Sequence, residues 1–322
     1  MPARHSRTSA GGGRSRTTNR RPPLRILILG GSGQVGRELV RAAVPRECMS
    51  IAPSHEALDI CDRQALAEVV DTQYPDVCIN AAAYTDVSAA EHDSESAFRV
   101  NSEGAEAVAE TISRAGIPLI HLSTDYVFDG RNRRPYREDD STGPLNVYGT
   151  SKLAGEAAVR DCCGQHLIVR TAWVFSSTRR NFVKTVLEKG LVEQQFTVVD
   201  DEIGSPTSAA DLAGALLELA QQCSSSTSVP WGTYHCTNQG SASRFSLAKQ
   251  VLSSARIHSE AALASVSRGS SRDRVDPVRR PGYSVLDCTR IRDVFGIELR
   301  GWREAVDDVV RTLLEGEPTG GT

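Results

Sequence analysis

Short apolar runs alternate with stretches of helical periodicity along most of the chain. Leu24-Arg25-Ile26-Leu27-Ile28-Leu29 is almost continuously apolar, the pattern of a parallel strand covered on both faces. Similar runs recur at Met49-Ser50-Ile51-Ala52, Val77-Cys78-Ile79-Asn80, Leu119-Ile120-His121-Leu122, Leu167-Ile168-Val169-Arg170-Thr171 and Trp231 to Cys236. Helices are predicted after Gly36, over Arg63 to Gln73, through a long stretch from Phe98 past Ile112, around Tyr148, from Asn181 and over Ala209 to Leu219. The alternation predicts an α/β fold with a Rossmann-type, doubly wound parallel sheet. Residues 24–175, joined by 208–236, form the dinucleotide-binding part of this reading, and 176–207 with 237–316 form a smaller substrate-binding lobe.

Composition narrows the classes. At 322 residues with 39% apolar and 24% charged side chains, the chain can bury a substantial core. A net charge of −3 gives no push toward nucleic acid or an anionic membrane. No apolar run is long enough to span a bilayer. The eight cysteines show no CxxC or metal-finger spacing, so they read as free thiols of a cytoplasmic protein. Met1 to Pro23 carries six arginines and no acid, and reads as a disordered basic tail; an anionic contact or a transit-like peptide is the other reading.

Chemistry enters at two places. The first apolar run leads directly into Gly30-Gly31-Ser32-Gly33-Gln34-Val35-Gly36. Glycines 30, 33 and 36 give a turn between strand and helix in which a pyrophosphate can meet backbone N–H groups at a helix N-terminus. No acid for a ribose 2′-hydroxyl follows the second strand, where Pro53-Ser54-His55 stand, so NADPH and NADH both stay open. Asp59 contacts the adenine edge or begins a helix. The alanines at 81, 82 and 83 leave room for a cofactor against a strand end, or pack as small core residues. Asn101 anchors a water or bonds locally.

The second place is Tyr148 and Lys152, four residues apart and therefore on one helical face. An ammonium near a phenol lowers its pKa from about 10, so Tyr148 can pass a proton to a carbonyl oxygen while that carbon receives a hydride. Thr124, in Ser123-Thr124-Asp125, would add a hydroxyl hydrogen bond to the same oxygen. Trp173, after the Leu167 run, is core or a flat wall for a sugar or base. Arg280 fits bidentate phosphate capture or a solvated turn.

Together these stretches resemble the extended short-chain dehydrogenase/reductase family. Ser123 through Gly130, Asn146 through Gly155, Arg170 through Trp173, Asp200 through Thr207 and Arg280-Pro281-Gly282 are similar to its dTDP-4-dehydrorhamnose reductase branch. The resemblance implies reduction of the C4 ketone of a dTDP-6-deoxy-hexulose by NADPH or NADH. It implies Tyr148 as proton donor, with Lys152 tuning it and holding the nicotinamide ribose. Gly33, Gln34, Val35, Asp59, Ile60 and Ala81 through Ala83 would line the dinucleotide. Thr85, Asp125 and Trp173 would border the sugar. It also leaves room for a homodimer and for Mg2+, with Glu38 the residue that fits the metal pattern. Where relatives often read Val-Asp-Lys-Ala-Glu, this chain reads Val87-Ser88-Ala89-Ala90-Glu91, which touches helix-edge contacts rather than the catalytic set.

Two other readings compete. One is a sibling reductase of an antibiotic deoxysugar pathway, such as that of dihydrostreptose. The other, from a different class, is a non-catalytic NADP-binding regulatory subunit like the beta subunit of methionine adenosyltransferase. A dehydratase would need a second carboxylate after Asp125, where Tyr126 stands. Removing Met1 to Pro23 should leave ketosugar-dependent NADPH oxidation unchanged; a loss of activity in the shortened chain would overturn the tail reading.

Overall fold

The structure, a computed structural model, describes residues 22–226 and 228–316. The basic segment up to Arg21 lies outside the described residues. The central sheet is built from β1 (Arg25–Leu29), β2 (Met49–Ile51), β3 (Val77–Asn80), β4 (Leu119–Thr124) and β5 (His166–Thr171). β6 (Gln195–Val199) lies outside it, and β7 (Gly232–His235) completes it. β6 pairs in parallel with β8 (Ser265–Gly269). The six sheet strands are parallel in the order β7-β5-β4-β3-β1-β2. The chain steps from β1 outward to β2, then returns to β3 on the other side of β1. Such a reversal opens a crevice at the carboxyl ends of the strands.

The longer helices are α1 (Gln34–Ala43), α2 (Arg63–Gln73), α3 (Gly104–Ala115), α4 (Val147–Cys162), α5 (Phe182–Val192), α6 (Ala209–Ser225), α7 (Arg244–His258) and α8 (Trp302–Glu315). Strand side chains alternate between the two faces of a sheet. Ile26, Ile28, Ile79 and Ile120 pack against Leu39 of α1 and Leu212 and Leu216 of α6. Leu27, Leu29, Cys78 and Ile168 pack against Leu66 of α2, Val108 and Ile112 of α3, and Val159 of α4. This double cover explains why the first strand reads as an unbroken apolar run; each such side chain contributes about 1.5–3 kcal/mol on burial. A separate cluster joins Val183 and Leu187 of α5, Leu247 and Val251 of α7, and Trp302 and Val306 of α8.

The long helix expected from Phe98 past Ile112 is interrupted. Helices Val87–His92 and Ser94–Phe98 lead into a π-helical turn at Arg99–Glu103, and only then does α3 begin. The wide turn presents Asn101 to the neighbouring loop. Asn101 Oδ1 accepts from Tyr84 N–H at 2.8 Å, and its Nδ2 donates to Tyr84 O and to Ser151 Oγ, each at 3.0 Å. Asn101 is buried and outside the cleft lining, so it clamps the loop after β3 to α4. π-turns of this kind collect at functional sites.

Gly155 of α4 lies directly against this turn, where an added Cβ would overlap Asn101 O. Gly155→Ala should therefore destabilise the fold by about 1–3 kcal/mol. Gly164→Ala, with nothing within 4 Å of the added carbon, should be near neutral. Urea denaturation of the two variants checks the contrast; equal stabilities would refute the close approach.

Candidate active site

The carboxyl ends of β1, β3, β4 and β5 open on one cleft of about 920 Å3, within the usual range for a ligand site. Gly30, Gly33, Gln34, Val35, Asp59, Ile60, Ala81, Ala82, Ala83, Thr85, Thr124, Asp125, Tyr148, Lys152 and Trp173 all line it. Segments scattered through the sequence therefore meet in a single concavity. Gly36, Asn101, Arg280 and Glu38 do not line it.

The glycine turn forms one end. Gly30 has φ +78°, and a Cβ there would sit 2.6 Å from Ala82 N. Only glycine lets β1 and the loop after β3 approach this closely. Gly36 faces inward, where a Cβ would overlap Gly30 O. α1 starts at Gly33 with no side-chain cap, so its first N–H groups are free to meet an anion. With the short side chains of Ala81, Ala82 and Ala83 beside it, this end fits a dinucleotide. Gln34 is fixed from the other side: its Oε1 accepts from Ser176 Oγ at 2.9 Å and Asn181 Nδ2 at 3.1 Å. Asp59 accepts from Cys61 N–H at 3.0 Å and pairs with Arg99 at 3.0 Å. The Cys61 bond is the larger cause holding its carboxyl below the usual range.

The middle holds Thr124, Tyr148 and Lys152. Asn146 caps α4, its Oδ1 accepting from Gly149 N–H at 2.8 Å. Glu91 Oε1 accepts from Val147 N–H at 2.7 Å, adding negative charge at the positive end of the helix. Tyr148 follows in the first turn, and Lys152 lies one turn on, both in the cleft. Lys152 Nζ donates to Leu122 O at 2.7 Å. Burial pushes the Tyr148 hydroxyl up, and a hydrogen bond with Thr124 opposes that. Burial also lowers Lys152 to about 8, opposed by the charge of Glu156. Thr124 Oγ1 donates to Asp125 Oδ1 at 3.1 Å. Asp125 is raised to about 6 by burial, against hydrogen bonds from Ser284 and Thr124. Thr171 Oγ1, also on the cleft, is buried without a partner.

The far wall is aromatic and basic. Trp173 follows β5 with φ +46°, a rare conformation for a bulky residue and a form of strain that collects at functional sites. An added Cβ at Gly204 would overlap its ring. Arg244, the first residue of α7, stacks its guanidinium 3.6 Å from the Trp173 ring centroid and 5.1 Å from that of Phe182. The sequence reading missed Arg244, which follows the helix cap Ser243 without any motif. Glu91, read only as part of the segment 87–91, was not singled out as a partner of the α4 N-terminus, because that contact spans 56 residues of sequence. Arg280 instead pairs with Asp276 at 2.8 Å and donates to Ser88 Oγ at 3.1 Å. Its neighbour Arg279 offers a carbonyl to Asn146 Nδ2 at 2.9 Å, so this segment braces the start of α4.

Magnesium at Glu38 finds no support. Glu38 is buried on α1 and pairs with Arg41 at 3.6 Å. Among the described residues, the one group with metal-like spacing is Glu106, Glu110 and Cys162, and Arg63 already pairs with both carboxylates. No described helix is long and apolar enough to cross a membrane.

The comparisons with known proteins agree with this geometry. A family model described as the RmlD substrate binding domain matches residues 24–315. A dTDP-4-dehydrorhamnose reductase of Burkholderia thailandensis is 40% identical over 299 residues, covering 90% of this chain and 99% of its own length. One from Sinorhizobium fredii is 38% identical over 298 residues, covering 91% and 99%. The crystal structure of the dTDP-4-dehydrorhamnose reductase of Bacillus anthracis in complex with NADP superposes with a TM-score of 0.83 at 33% identity, covering 89% of this chain and 98% of that one. With its glycine cradle, tyrosine–lysine helix and parallel sheet, this chain belongs to the RmlD family of Rossmann-type oxidoreductases.

Proposed function

We propose that the chain reduces the C4 ketone of dTDP-4-dehydro-6-deoxy-L-hexose to the alcohol of dTDP-L-rhamnose, using NADPH or NADH. One observation carries this: Thr124, Tyr148 and Lys152 converge in a cleft whose other end is the uncapped N-terminus of α1. The names of the curated relatives support the dehydrorhamnose substrate over the sibling deoxysugar reductase and over the non-catalytic regulatory subunit. A homodimer and a cytoplasmic location belong to the same reading.

When bound, the nicotinamide supplies the hydride. The remaining work falls to side chains. The N–H groups at the start of α1 hold the pyrophosphate, with Gly30, Gly33, Gln34, Val35 and Gly36 shaping the approach. Asp59, Ile60 and Ala81 through Ala83 line the rest of the dinucleotide path. Burial keeps the Tyr148 phenol protonated, which is the form a reduction requires: it gives its proton to the ketone oxygen as charge develops there. Thr124 hydrogen-bonds the same oxygen. Lys152, a cation beside the ribose position, attracts the resulting phenolate and helps re-protonation. Thr85, Asp125 and Trp173 border the sugar.

Incubating the chain with dTDP-4-dehydrorhamnose and each reduced nicotinamide in parallel tests the assignment. Loss of nicotinamide absorbance together with formation of dTDP-rhamnose is expected; inertness toward that ketone alongside turnover of another dTDP-ketosugar would reassign the substrate. Tyr148→Phe should lower turnover by about 10²- to 10⁴-fold, the usual worth of a positioned acid, with NADPH still bound. Near-normal turnover in that variant would remove the proton-donor role.

A further inference from the structure

Beneath the Tyr148 face of α4 lies a set of buried charges that the mechanism does not use. Glu156 is one turn beyond Lys152 on the same face, and its side chain is fully buried. Its Oε1 accepts from Ser123 Oγ at 2.6 Å and Arg170 Nε at 2.8 Å. Its Oε2 accepts from Arg170 Nη2 at 2.7 Å and Arg160 Nη1 at 3.2 Å. Arg170 and Ser123 are paired in register across β5 and β4. Ser123 stands between Leu122, whose carbonyl receives Lys152, and Thr124, which bonds Tyr148. One carboxylate thus ties the catalytic helix to both strands that carry its partners.

We infer that Glu156, gripped by Arg170 and Ser123, is a positioning residue that sets α4 against β4, so that Tyr148 and Lys152 keep their places relative to Thr124. This rests on the reductase reading above. The bidentate ion pair gives the grip direction as well as strength, since a planar guanidinium meets a carboxylate in one orientation. A buried ion pair is a poor way to gain stability, which argues that its geometry is what matters here. Arg170 is itself held, donating to Glu138 O at 3.3 Å and lying 5.1 Å from the Phe128 ring centroid. The pair also acts through charge. The groups facing Lys152 and Glu156 are His121 on β4, Arg170 on β5, His235 on β7 and Arg160 on α4. Burial holds both histidines neutral. Glu156 is the negative charge that favours the Lys152 ammonium.

The test uses the full chain with Glu156→Gln. Lysine labelled at Cε reports Lys152 directly by NMR, because the other lysines are only Lys184, Lys189 and Lys249. Expected are unchanged NADPH binding, a fall in kcat of about ten- to a hundred-fold with KM nearly constant, and titration of Lys152 at lower pH. Glu156→Asp keeps the charge and loses the reach, so it should restore the Lys152 titration but not kcat. Wild-type kcat together with an unmoved Lys152 titration in Glu156→Gln would overturn the proposal. If Glu156→Gln does not fold, Ser123→Ala carries the test: a several-fold loss of kcat supports the grip, and an unchanged kcat overturns it. If the wild-type chain leaves the ketosugar untouched, the reductase reading fails by itself. The Lys152 titrations, which need no turnover, then still decide whether Glu156 governs the lysine.

Discussion

The fold can hold Tyr148 in the cleft only because α4 comes close enough to the sheet to bury a lysine, a glutamate and an arginine together. Lys152, Glu156 and Arg170 are 2%, 0% and 3% exposed. Each buried ion costs several kcal/mol unless nearly all its hydrogen-bonding capacity is met. Here the carboxylate receives Ser123, Arg170 and Arg160, and the lysine has the Leu122 carbonyl. Helix and strand cannot slide past each other without stranding one of these charges. The bare surface of Gly155 against the Asn101 turn makes the approach sterically feasible.

The two ends of the cleft are built on different terms. The glycine-turn end is backbone: a left-handed glycine, uncapped N–H groups and alanines that keep side chains out of the way. The Trp173 end is side chain: a strained tryptophan with an arginine stacked on it. The first suits a ligand recognised by its phosphates, and the second one recognised by shape and charge. Between them, the start of α4 is held by distant segments, Glu91 from one side and the Arg279 carbonyl from the other.

Much of this was readable from the linear chain. Strands buried on both faces must be apolar throughout, so Arg25 to Leu29 and Leu119 to Leu122 announced themselves. A position that needs φ > 0, as at Gly30, or that has no room for a Cβ, as at Gly36, must be glycine, so both stood out. Four-residue spacing put Tyr148 and Lys152 on one face whatever surrounds them. These are local properties, set by backbone geometry and periodicity.

What the partners of those residues are was decided only by the tertiary structure. Lys152 turned to a carbonyl on β4, burial raised the Tyr148 hydroxyl, Asn101 became a clamp in a π-turn, and Arg280 paired with Asp276 while Arg244 entered the cleft. Each outcome depends on which groups approach across the fold and how much water they exclude. By itself the chain determined a parallel α/β sheet with a phosphate turn and a tyrosine–lysine helix. The folded molecule decided which charges are paired, because pairing is a matter of distance in space and solvation, and neither is written in the order of residues.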